Sequence, residues 1–293
     1  MSDGILLIDK PQGFTSFDVI AKLRGMSRIK RIGHSGTLDP MATGVLPCLF
    51  GTAARLCDIM PCEEKIYRAR VQFGISTDTQ DITGTVLSKS DMAINLDMLE
   101  EILPRFRGEI DQKPPMYSAV QVNGKRLYDL AREGIEVERP SRKINIISLD
   151  MLDFDGQART AEFEVKCSRG TYIRTIFHDI GEQLGCGAAL TALRRTASNG
   201  YTADQCITME QAQQLTDSGE LLTKLLPVSS AFENLTKLEV GQWQGKMLSN
   251  GVALSLKKLG YLEDGCYSVW CEGTFLGMGI VSNAEQCMRL KKF

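Results

Sequence analysis

Histidine is scarce in this sequence, and several motifs that carry common chemistries are absent. Among 293 residues there are two histidines, His34 and His178, so a Ser-His-Asp triad is hard to build. No Gly-x-x-x-x-Gly-Lys-Ser/Thr loop occurs, and no Gly-x-Gly-x-x-Gly opens a helix after a strand. The tetrapeptide at residues 33–36 is not a Gly-x-Ser-x-Gly elbow. The remaining candidates for chemistry are carboxylates, arginines and tyrosines.

The nine cysteines do not follow a metal-site pattern, and long apolar runs are missing. The closest pairs, Cys57/Cys62 and Cys266/Cys271, have four residues between them, whereas thiolate zinc sites use tighter pairs. We interpret the cysteines as small core residues in a reducing cytosol. No window holds the ~18 apolar residues of a membrane span, and the first residues lack a signal-peptide pattern. The sequence thus predicts a cytoplasmic protein with no metal site.

Length and charge predict a two-part globular protein with a local basic surface. A chain of 293 residues with 43% hydrophobic residues suggests one large domain and a smaller one. The net charge of −2 argues against a protein that coats nucleic acid, although residues 22–31 carry five cations and no acid. Beyond about residue 230 the pattern changes to short strands with turn signals. Domains are therefore predicted over 1–232 and 233–293.

Periodicity predicts alternating strands and helices along the first 232 residues. A capping box at Thr15 and Asp18 predicts the first helix, and Thr171 is the predicted N-cap of a helix that ends at Gly185. This helix places Arg174 in its first turn, where a cation opposes the helix dipole. Strands are predicted over residues 5–8, 65–73, 135–138, 144–154 and 161–167. Helices are predicted over residues 16–24, 96–106 with a break at Pro104, 172–184, 240–250, and from the Asn123-Gly124 turn to Gly134.

The segment RIGHSGTLDPMATGVLP, residues 31–47, combines a histidine, an Asp-Pro dipeptide and three glycines. By local chemistry alone, Asp39 is either a turn former or a functional carboxylate, because Asp-Pro commonly starts turns. The glycines indicate a loop with unusual backbone angles, and such loops are often functional. An ionised Asp39 in a site of low dielectric would need a cation partner such as an arginine.

Residues 33–47, GHSGTLDPMATGVLP, closely resemble the signature of the TruB family of tRNA pseudouridine synthases. The resemblance covers roughly residues 4–230, and the C-terminal part resembles, more weakly, a small PUA-like RNA-binding domain. Ser35 stands where the family often has Ala or Thr, a departure from which we expect little effect. Four further segments resemble family motifs in the family order: DKPQGFTS (9–16), KIYRARVQFGISTDTQDITG (65–84), PPMYSAVQVNGKRLYDLAREG (114–134) and CSRGTYIRTIFHDIGEQLGCGAALTALRRT (167–196).

The resemblance implies catalytic roles for three residues. Asp39 aligns with the aspartate that attacks the target nucleoside, at C1′ of the ribose or on the ring. Tyr67 aligns with the tyrosine that stacks on the base and assists loss of the C5 proton. Arg174 aligns with the arginine that pairs with the aspartate, and Leu193 with an apolar residue of the uracil pocket. The implied reaction is an isomerisation, which needs no cofactor.

The resemblance also implies residues that bind the RNA. His34 aligns with the histidine that enters the RNA when the target uridine is flipped out. Lys10 is a candidate for the edge of the pocket, Asp81 aligns with a further active-site acid, and Tyr172 belongs to the arginine motif. From the basic run, Arg28, Lys30 and Arg31 are candidates for phosphate contacts that position RNA without reading its sequence.

The fold expected from the resemblance is an α+β pseudouridine-synthase fold. It has a bent, mainly antiparallel mixed sheet flanked by helices, and a small β-rich C-terminal PUA-like domain. The expected substrate is the T-arm of tRNA, modified at position 55 by a monomer without an obligate protein partner. Three alternatives remain: a guide-dependent enzyme in a ribonucleoprotein, a non-catalytic RNA-binding or RNA-folding protein, and an unrelated hydrolase that uses Asp39.

Overall fold

The computed structural model describes residues 3–57, 59–118, 120–122 and 124–292. Its helices are α1 (Ser16–Ser27), α2 (Leu96–Ile102), α3 (Leu127–Arg132), α4 (Ile173–Leu184), α5 (Met209–Asp217) and α6 (Gln242–Ser249). Its strands are β1 (Gly4–Lys10), β2 (Ile32–His34), β3 (Thr43–Phe50), β4 (Lys65–Phe73), β5 (Ile75–Thr77), β6 (Val86–Lys89), β7 (Gly108–Gln112), β8 (Gln121–Val122), β9 (Lys125–Arg126), β10 (Arg142–Asp155), β11 (Thr160–Cys167), β12 (Ala188–Ser198), β13 (Tyr201–Thr202), β14 (Thr236–Glu239), β15 (Leu254–Ser255), β16 (Gly265–Cys271), β17 (Thr274–Ser282) and β18 (Cys287–Lys291).

The main sheet runs in the order β1-β3-β12-β4-β11-β10-β7, with β2 added to β3 and β13 to β12. Its ladders are antiparallel except for the parallel pair of β3 and β12. The predicted mixed, mainly antiparallel sheet is therefore confirmed. At the parallel step a Cβ on Gly44 would lie 2.1 Å from the carbonyl oxygen of Arg195, and Gly44 has a φ of 105°. Glycine is required there for both reasons.

Strand β4 positions the cleft because one of its faces is buried and the other is largely exposed. Tyr67, Ala69, Val71 and Phe73 point into the core, as the alternation predicts. Helix α4 covers this face of the sheet and lies in the same apolar cluster. The ring of Phe177 on α4 packs 4.8 Å from that of Phe163 on β11. This packing fixes the start of α4 above the sheet.

Several predicted helix signals are confirmed. The amide of Asp18 donates to Thr15 Oγ1, and the amide of Thr15 donates to the Asp18 carboxylate, which completes the capping box of α1. Helix α2 ends at Ile102 and continues as a 3₁₀ turn that contains Pro104. Helix α4 ends at Gly185, which has a φ of 78°.

Three local predictions differ from the structure or lie partly outside the described residues. Helix α4 begins one residue later than predicted, since its N-cap is Tyr172 and the hydroxyl of Thr171 donates to the carbonyl of Ser168 instead. The strand predicted over 135–138 is wrong, because the Ile135 amide closes the end of α3 by donating to Leu130. Strands β8 and β9 pair on either side of the predicted Asn123-Gly124 turn, but Asn123 lies outside the described residues.

The C-terminal residues form a second sheet, in the order β14-β16-β17-β18-β15. Together with α6 this sheet has its own apolar cluster, which includes Val240, Leu248 and Val269. Met278 of β17 packs instead with Ile5 and Phe232 of the larger body. The prediction of a β-rich C-terminal unit is confirmed. In the described part of the chain, no helix has the length and apolar character to cross a membrane.

Candidate active site

A cavity of about 380 Å³ opens between the loop that joins β2 to β3, the first residues of β4 and the first turn of α4. These elements come from distant parts of the chain and meet because β12 joins β3 to β4 in the main sheet. Six of the residues predicted for the site line this cavity: His34, Asp39, Tyr67, Tyr172, Arg174 and Leu193.

Asp39 lies on the loop between β2 and β3 and forms an ion pair with Arg174. The Arg174 Nη2 atom is 3.2 Å from Asp39 Oδ1, and the Arg174 side chain is only 5% exposed. The loop is held on α1 by a hydrogen bond of 2.8 Å from the Leu38 amide to Ser16 Oγ. The carbonyl of Asp39 accepts from the Ala42 amide, as expected for a turn. Asp39 is therefore both a turn former and a cavity-facing carboxylate.

The Arg174 guanidinium is fixed by three acceptors. Besides Asp39, Nη2 donates to the carbonyl of Tyr117 at 2.5 Å and Nη1 donates to the carbonyl of Thr79 at 3.3 Å. Arg174 is the second residue of α4, so its position in the first turn is confirmed. The unfavourable interaction with the helix dipole is small beside this set of acceptors. The guanidinium is thus preorganised to face Asp39.

The ionisation of Asp39 depends on two opposing effects. Burial in the cleft raises the pKa of Asp39 above its usual value, and the nearby Asp81 carboxylate adds to this rise. The Arg174 guanidinium opposes the rise more strongly than any other neighbouring group. Loss of Arg174 would therefore leave a carboxyl group that is much harder to ionise at neutral pH.

Tyr67 and Leu193 supply the apolar wall of the cavity. Tyr67 is 6% exposed and Leu193 is 7% exposed, and both side chains face the cavity from adjacent strands. Burial raises the pKa of the Tyr67 hydroxyl, while the Arg195 guanidinium acts in the opposite direction. Arg195 is the cross-strand neighbour of Tyr67 in the ladder between β12 and β4. An aromatic ring in this position offers a face on which a planar base can stack.

His34 is the last residue of β2 and lines the cavity beside Ser35. Burial lowers the pKa of His34, and the charge of Arg195 lowers it further, so the imidazole is neutral at pH 7. The Ser35 hydroxyl donates to Asn199 Oδ1 at 2.8 Å, and Asn199 Nδ2 donates to the carbonyl of Cys62. The serine that departs from the family pattern therefore ties the histidine loop to the end of β12.

Neither Asp81 nor Lys10 is among the residues that line the cavity. Asp81 is buried, and its carboxylate accepts from Thr79 Oγ1 and from the Thr83 amide. Lys10 is fully buried, with Nζ donating to three carbonyls, including that of Pro40. Its ammonium group holds the backbone next to Asp39, and the role of Lys10 at the edge of the pocket stays a prediction.

Comparison with known proteins decides the family. Residues 24–173 match the family model described as TruB family pseudouridylate synthase (N terminal domain). Residues 174–233 match the one described as tRNA pseudouridylate synthase B C-terminal domain. The chain belongs to the TruB family of pseudouridylate synthases. It is therefore an enzyme of an isomerase family, and the resemblance seen in the sequence is confirmed.

Curated relatives support the same assignment over almost the whole chain. The tRNA pseudouridine synthase B of Clostridium kluyveri is 42% identical over 284 residues, covering 95% of this chain and 95% of the relative. The protein of the same name from Azoarcus sp. (strain BH72) is 42% identical and covers 94% of this chain and 90% of its own length. That of Geobacillus thermodenitrificans is 41% identical over 260 residues, covering 87% of this chain and 86% of the relative.

Solved structures show the fold. The chain is similar to one in a crystal structure of a Cbf5-Nop10-Gar1 complex, with a TM-score of 0.77 and 24% identity. It is also similar to one in a structure of an H/ACA RNP bound to a substrate RNA, with a TM-score of 0.74 and 21% identity. Each match covers 99% of this chain and 84% of the other chain. The predicted pseudouridine-synthase fold is confirmed.

Arg28, Lys30 and Arg31 lie between α1 and β2 of this TruB-family chain, on the segment that leads to His34. All three side chains are exposed. Arg28 follows the last residue of α1 and has a φ of 59°, which turns the chain sharply toward β2. The basic run is therefore a solvent-facing surface next to the histidine loop. Its role in phosphate contacts stays a prediction.

Residues outside the predicted set also shape the site. Gln112 is buried and pairs with the backbone of Tyr172 through two hydrogen bonds, of 2.9 and 3.0 Å, which clamp the start of α4. Arg195 is fully buried and holds the carbonyls of Val45 and Gly36. Gln112 lies just before the segment at 114–134, and Arg195 lies within the segment at 167–196. Their contacts follow from the folded chain and not from the motifs.

Proposed function

We propose that this chain isomerises the uridine at position 55 in the T-loop of tRNA to pseudouridine, with Asp39 as the nucleophile. The observation that carries the proposal is the ion pair of Asp39 and Arg174 in a cavity that Tyr67 and Leu193 also line. The curated relatives are named tRNA pseudouridine synthase B, which supports tRNA as the substrate class.

In the proposed reaction Asp39 attacks the target nucleoside, at C1′ of the ribose or on the uracil ring. The bond between N1 and C1′ breaks, the uracil turns, and a new bond forms between C5 and C1′. The proton leaves C5 and a proton is gained at N1, so product and substrate have the same mass. Arg174 keeps the Asp39 carboxylate ionised for the attack. Tyr67 stacks on the base and assists the loss of the C5 proton.

The target uridine must leave the folded T-loop before it reaches Asp39. Flipping a base costs a few kcal/mol, which contacts in the vacated space can offset. We assign that role to His34, because a neutral imidazole enters a stack of bases at a lower desolvation cost than a charged one. Recognition then rests on the shape of the T-arm, since A-form stems offer poor base readout.

The surrounding parts of the chain have proposed roles in holding the RNA. Arg28, Lys30 and Arg31 contact phosphates, and residues 233–293 act as a PUA-like domain that grips the RNA beside the catalytic domain at 1–232. The enzyme acts in the cytosol as a monomer, without a cofactor, a guide RNA or an obligate protein partner. Binding weakens with added salt as phosphate contacts are lost.

The test uses the purified chain and an unmodified T-arm hairpin transcript. Pseudouridine is mapped by carbodiimide treatment and primer extension, with Asp39→Ala in parallel. A stop at the T-loop uridine with the wild type alone supports the reaction, the substrate and the need for Asp39. Tight binding without a stop would favour a guide-dependent enzyme or an RNA-folding protein. Mass spectrometry of the RNA is run alongside, and a product of changed mass would indicate a hydrolase.

A further inference from the structure

Two cations lie side by side behind Gly36, at the end of the cavity beside His34. Lys65, the first residue of β4, lines the cavity. A Cβ built on Gly36 would lie 3.3 Å from Lys65 Nζ and 3.6 Å from Arg195 Nη1. Both cations therefore approach the same point of the loop, and Gly36 leaves the space between them open.

Among the described residues, no carboxylate forms an ion pair with either cation, and Glu63 affects the pKa of Lys65 less than Arg195 does. Arg195 is 0% exposed and donates from Nε to the carbonyl of Val45 at 2.7 Å and from Nη2 to that of Gly36 at 3.2 Å. Its side chain also interacts with the Tyr67 hydroxyl, and its buried Nη1 atom makes no close hydrogen bond among the described residues. The Lys65 ammonium group forms neither a hydrogen bond nor an ion pair with the described residues.

The carboxylates closest to Lys65 in sequence are paired with other cations. Glu63 forms an ion pair with Arg169 at 2.9 Å, and Glu64 forms one with Lys166 at 2.8 Å. A buried cation without an anion is costly, and the cost is largest when its donors are unpaired. An anion that enters the cavity would relieve this cost at Lys65 directly and at Arg195 through its charge.

We propose that Lys65, with Arg195 behind it, forms a subsite for a phosphate group of the RNA strand that carries the flipped uridine. This proposal rests on the proposed function, because RNA is the ligand that brings phosphates to the cavity. The Lys65 ammonium offers three donors on a flexible stem, which suits a phosphate oxygen. Arg195 is a positioning residue that holds Gly36 and adds a fixed positive field.

The titration of Lys65 gives the subsite a pH dependence. Burial lowers the pKa of Lys65 to about 8, and Arg195 adds to the decrease. Cys167 on β11, Arg169 and Glu63 also face Lys65, with smaller effects on its pKa. The lysine is cationic below about pH 8, so phosphate binding at this subsite weakens as the pH rises through that value. An arginine at this position would stay charged throughout.

The first experiment measures the dissociation constant of a T-arm hairpin for the full chain and for Lys65→Met and Lys65→Arg. We expect Lys65→Met to weaken binding about tenfold at low salt, as for loss of one charge-assisted hydrogen bond. The slope of log affinity against log salt should become shallower by about 0.7 to 0.9. Lys65→Arg should keep most of the affinity and lose the decrease above pH 8. Lys143→Met is the control, because Lys143 is exposed and pairs with Glu109 outside the cavity.

The second experiment places a neutral methylphosphonate at each T-loop phosphate in turn. At the phosphate bound by Lys65, the modification should weaken binding to the wild type about tenfold and leave binding to Lys65→Met unchanged. If the methylphosphonate weakens binding to Lys65→Met as much as binding to the wild type at every position, the proposal is overturned. So would an unchanged affinity together with a slower single-turnover rate, since Lys65 would then act on the reaction. The carbodiimide stop tests the proposed function separately, because it does not depend on Lys65.

Discussion

Two buried arginines flank the same cavity with different partners. Arg174 faces the Asp39 carboxylate at 3.2 Å, and two carbonyls complete its set of acceptors. Arg195 donates to the carbonyls of Val45 and Gly36 and interacts with the Tyr67 hydroxyl, and among the described residues it forms no ion pair with a carboxylate. The cation Lys65 approaches the same side of Gly36. One side of the cavity therefore holds a compensated ion pair, and the other side holds an uncompensated pair of cations.

The difference separates the two tasks of an RNA-modifying enzyme. A nucleophile must be ionised before the substrate arrives, so its counter-ion has to belong to the protein. A phosphate subsite must be left without a counter-ion, so that the substrate supplies it. Changes on the Arg174 side should therefore alter the rate of the chemical step, and changes on the Lys65 side should alter RNA affinity.

The largest effect is expected from Asp39→Asn, which removes the carboxylate from the ion pair with Arg174. We expect the single-turnover rate to fall by more than about 1000-fold, because the amide is a poor nucleophile. RNA affinity should stay within a few-fold of the wild type, as measured by filter binding on the T-arm hairpin. Substantial remaining turnover would exclude Asp39 as the nucleophile.

Arg174→Lys is expected to lower the rate about 100-fold, because an ammonium group does not reproduce the planar set of donors to Asp39, Tyr117 and Thr79. Burial would also keep the pKa of Asp39 high, so the remaining activity should increase as the pH is raised. The measurement is a pH profile of the single-turnover rate. Arg70→Lys, in an exposed ion pair with Glu162, is the control. Near-normal kinetics for Arg174→Lys would argue against the ion pair.

Gly44→Ala tests the contact that places Arg195. The new Cβ would lie 2.1 Å from the Arg195 carbonyl, so we expect a loss of about 2 to 3 kcal/mol in the free energy of unfolding. Gly13→Ala is the matched control, because Gly13 has a φ of 85° but open space around it. That variant should lose about 1 kcal/mol, for the backbone angle alone. The unfolding free energies of both variants are measured by urea unfolding. Equal losses in the two variants would show that the contact between Gly44 and Arg195 carries no cost of its own.

Gln112→Met should have a smaller effect on the rate than either change at the ion pair, since it loosens the start of α4 without touching Arg174. We expect a rate about tenfold lower and an unfolding free energy about 1 to 3 kcal/mol lower, because the polar backbone of Tyr172 loses its partner. RNA affinity should change little. Gln183→Met, at an exposed position on the same helix, is the control. An unchanged rate would show that Arg174 does not depend on this clamp.

Local sequence patterns predict much of this fold. The alternation of residues 65–73, the capping box at Thr15 and the stop at Gly185 all depend on neighbours a few residues away. The resemblance to the family places Asp39, Tyr67 and Arg174 in one active site, because a family motif carries long-range information that local patterns lack. The strand predicted over 135–138 failed because alternation cannot show whether a sheet edge is available for pairing.

The remaining site residues could not be found in this way. Arg194 and Arg195 are adjacent, yet Arg194 turns outward to pair with Asp9 and Arg195 is fully buried. The register of β12 against β3 and β4 decides between them, and that register joins residues about 130 to 150 positions apart. Lys10 also donates to the carbonyl of Pro40, which is 30 positions away and is brought close only by the folded loop.

The most direct test of the separation between chemistry and binding compares Asp39→Asn and Lys65→Met on one T-arm hairpin. The dissociation constant and the single-turnover rate at saturating RNA are measured for each variant. We expect Asp39→Asn to lose the rate and keep the affinity, and Lys65→Met to lose about tenfold in affinity and keep the rate. Loss of affinity in Asp39→Asn, or loss of rate at unchanged affinity in Lys65→Met, would contradict it.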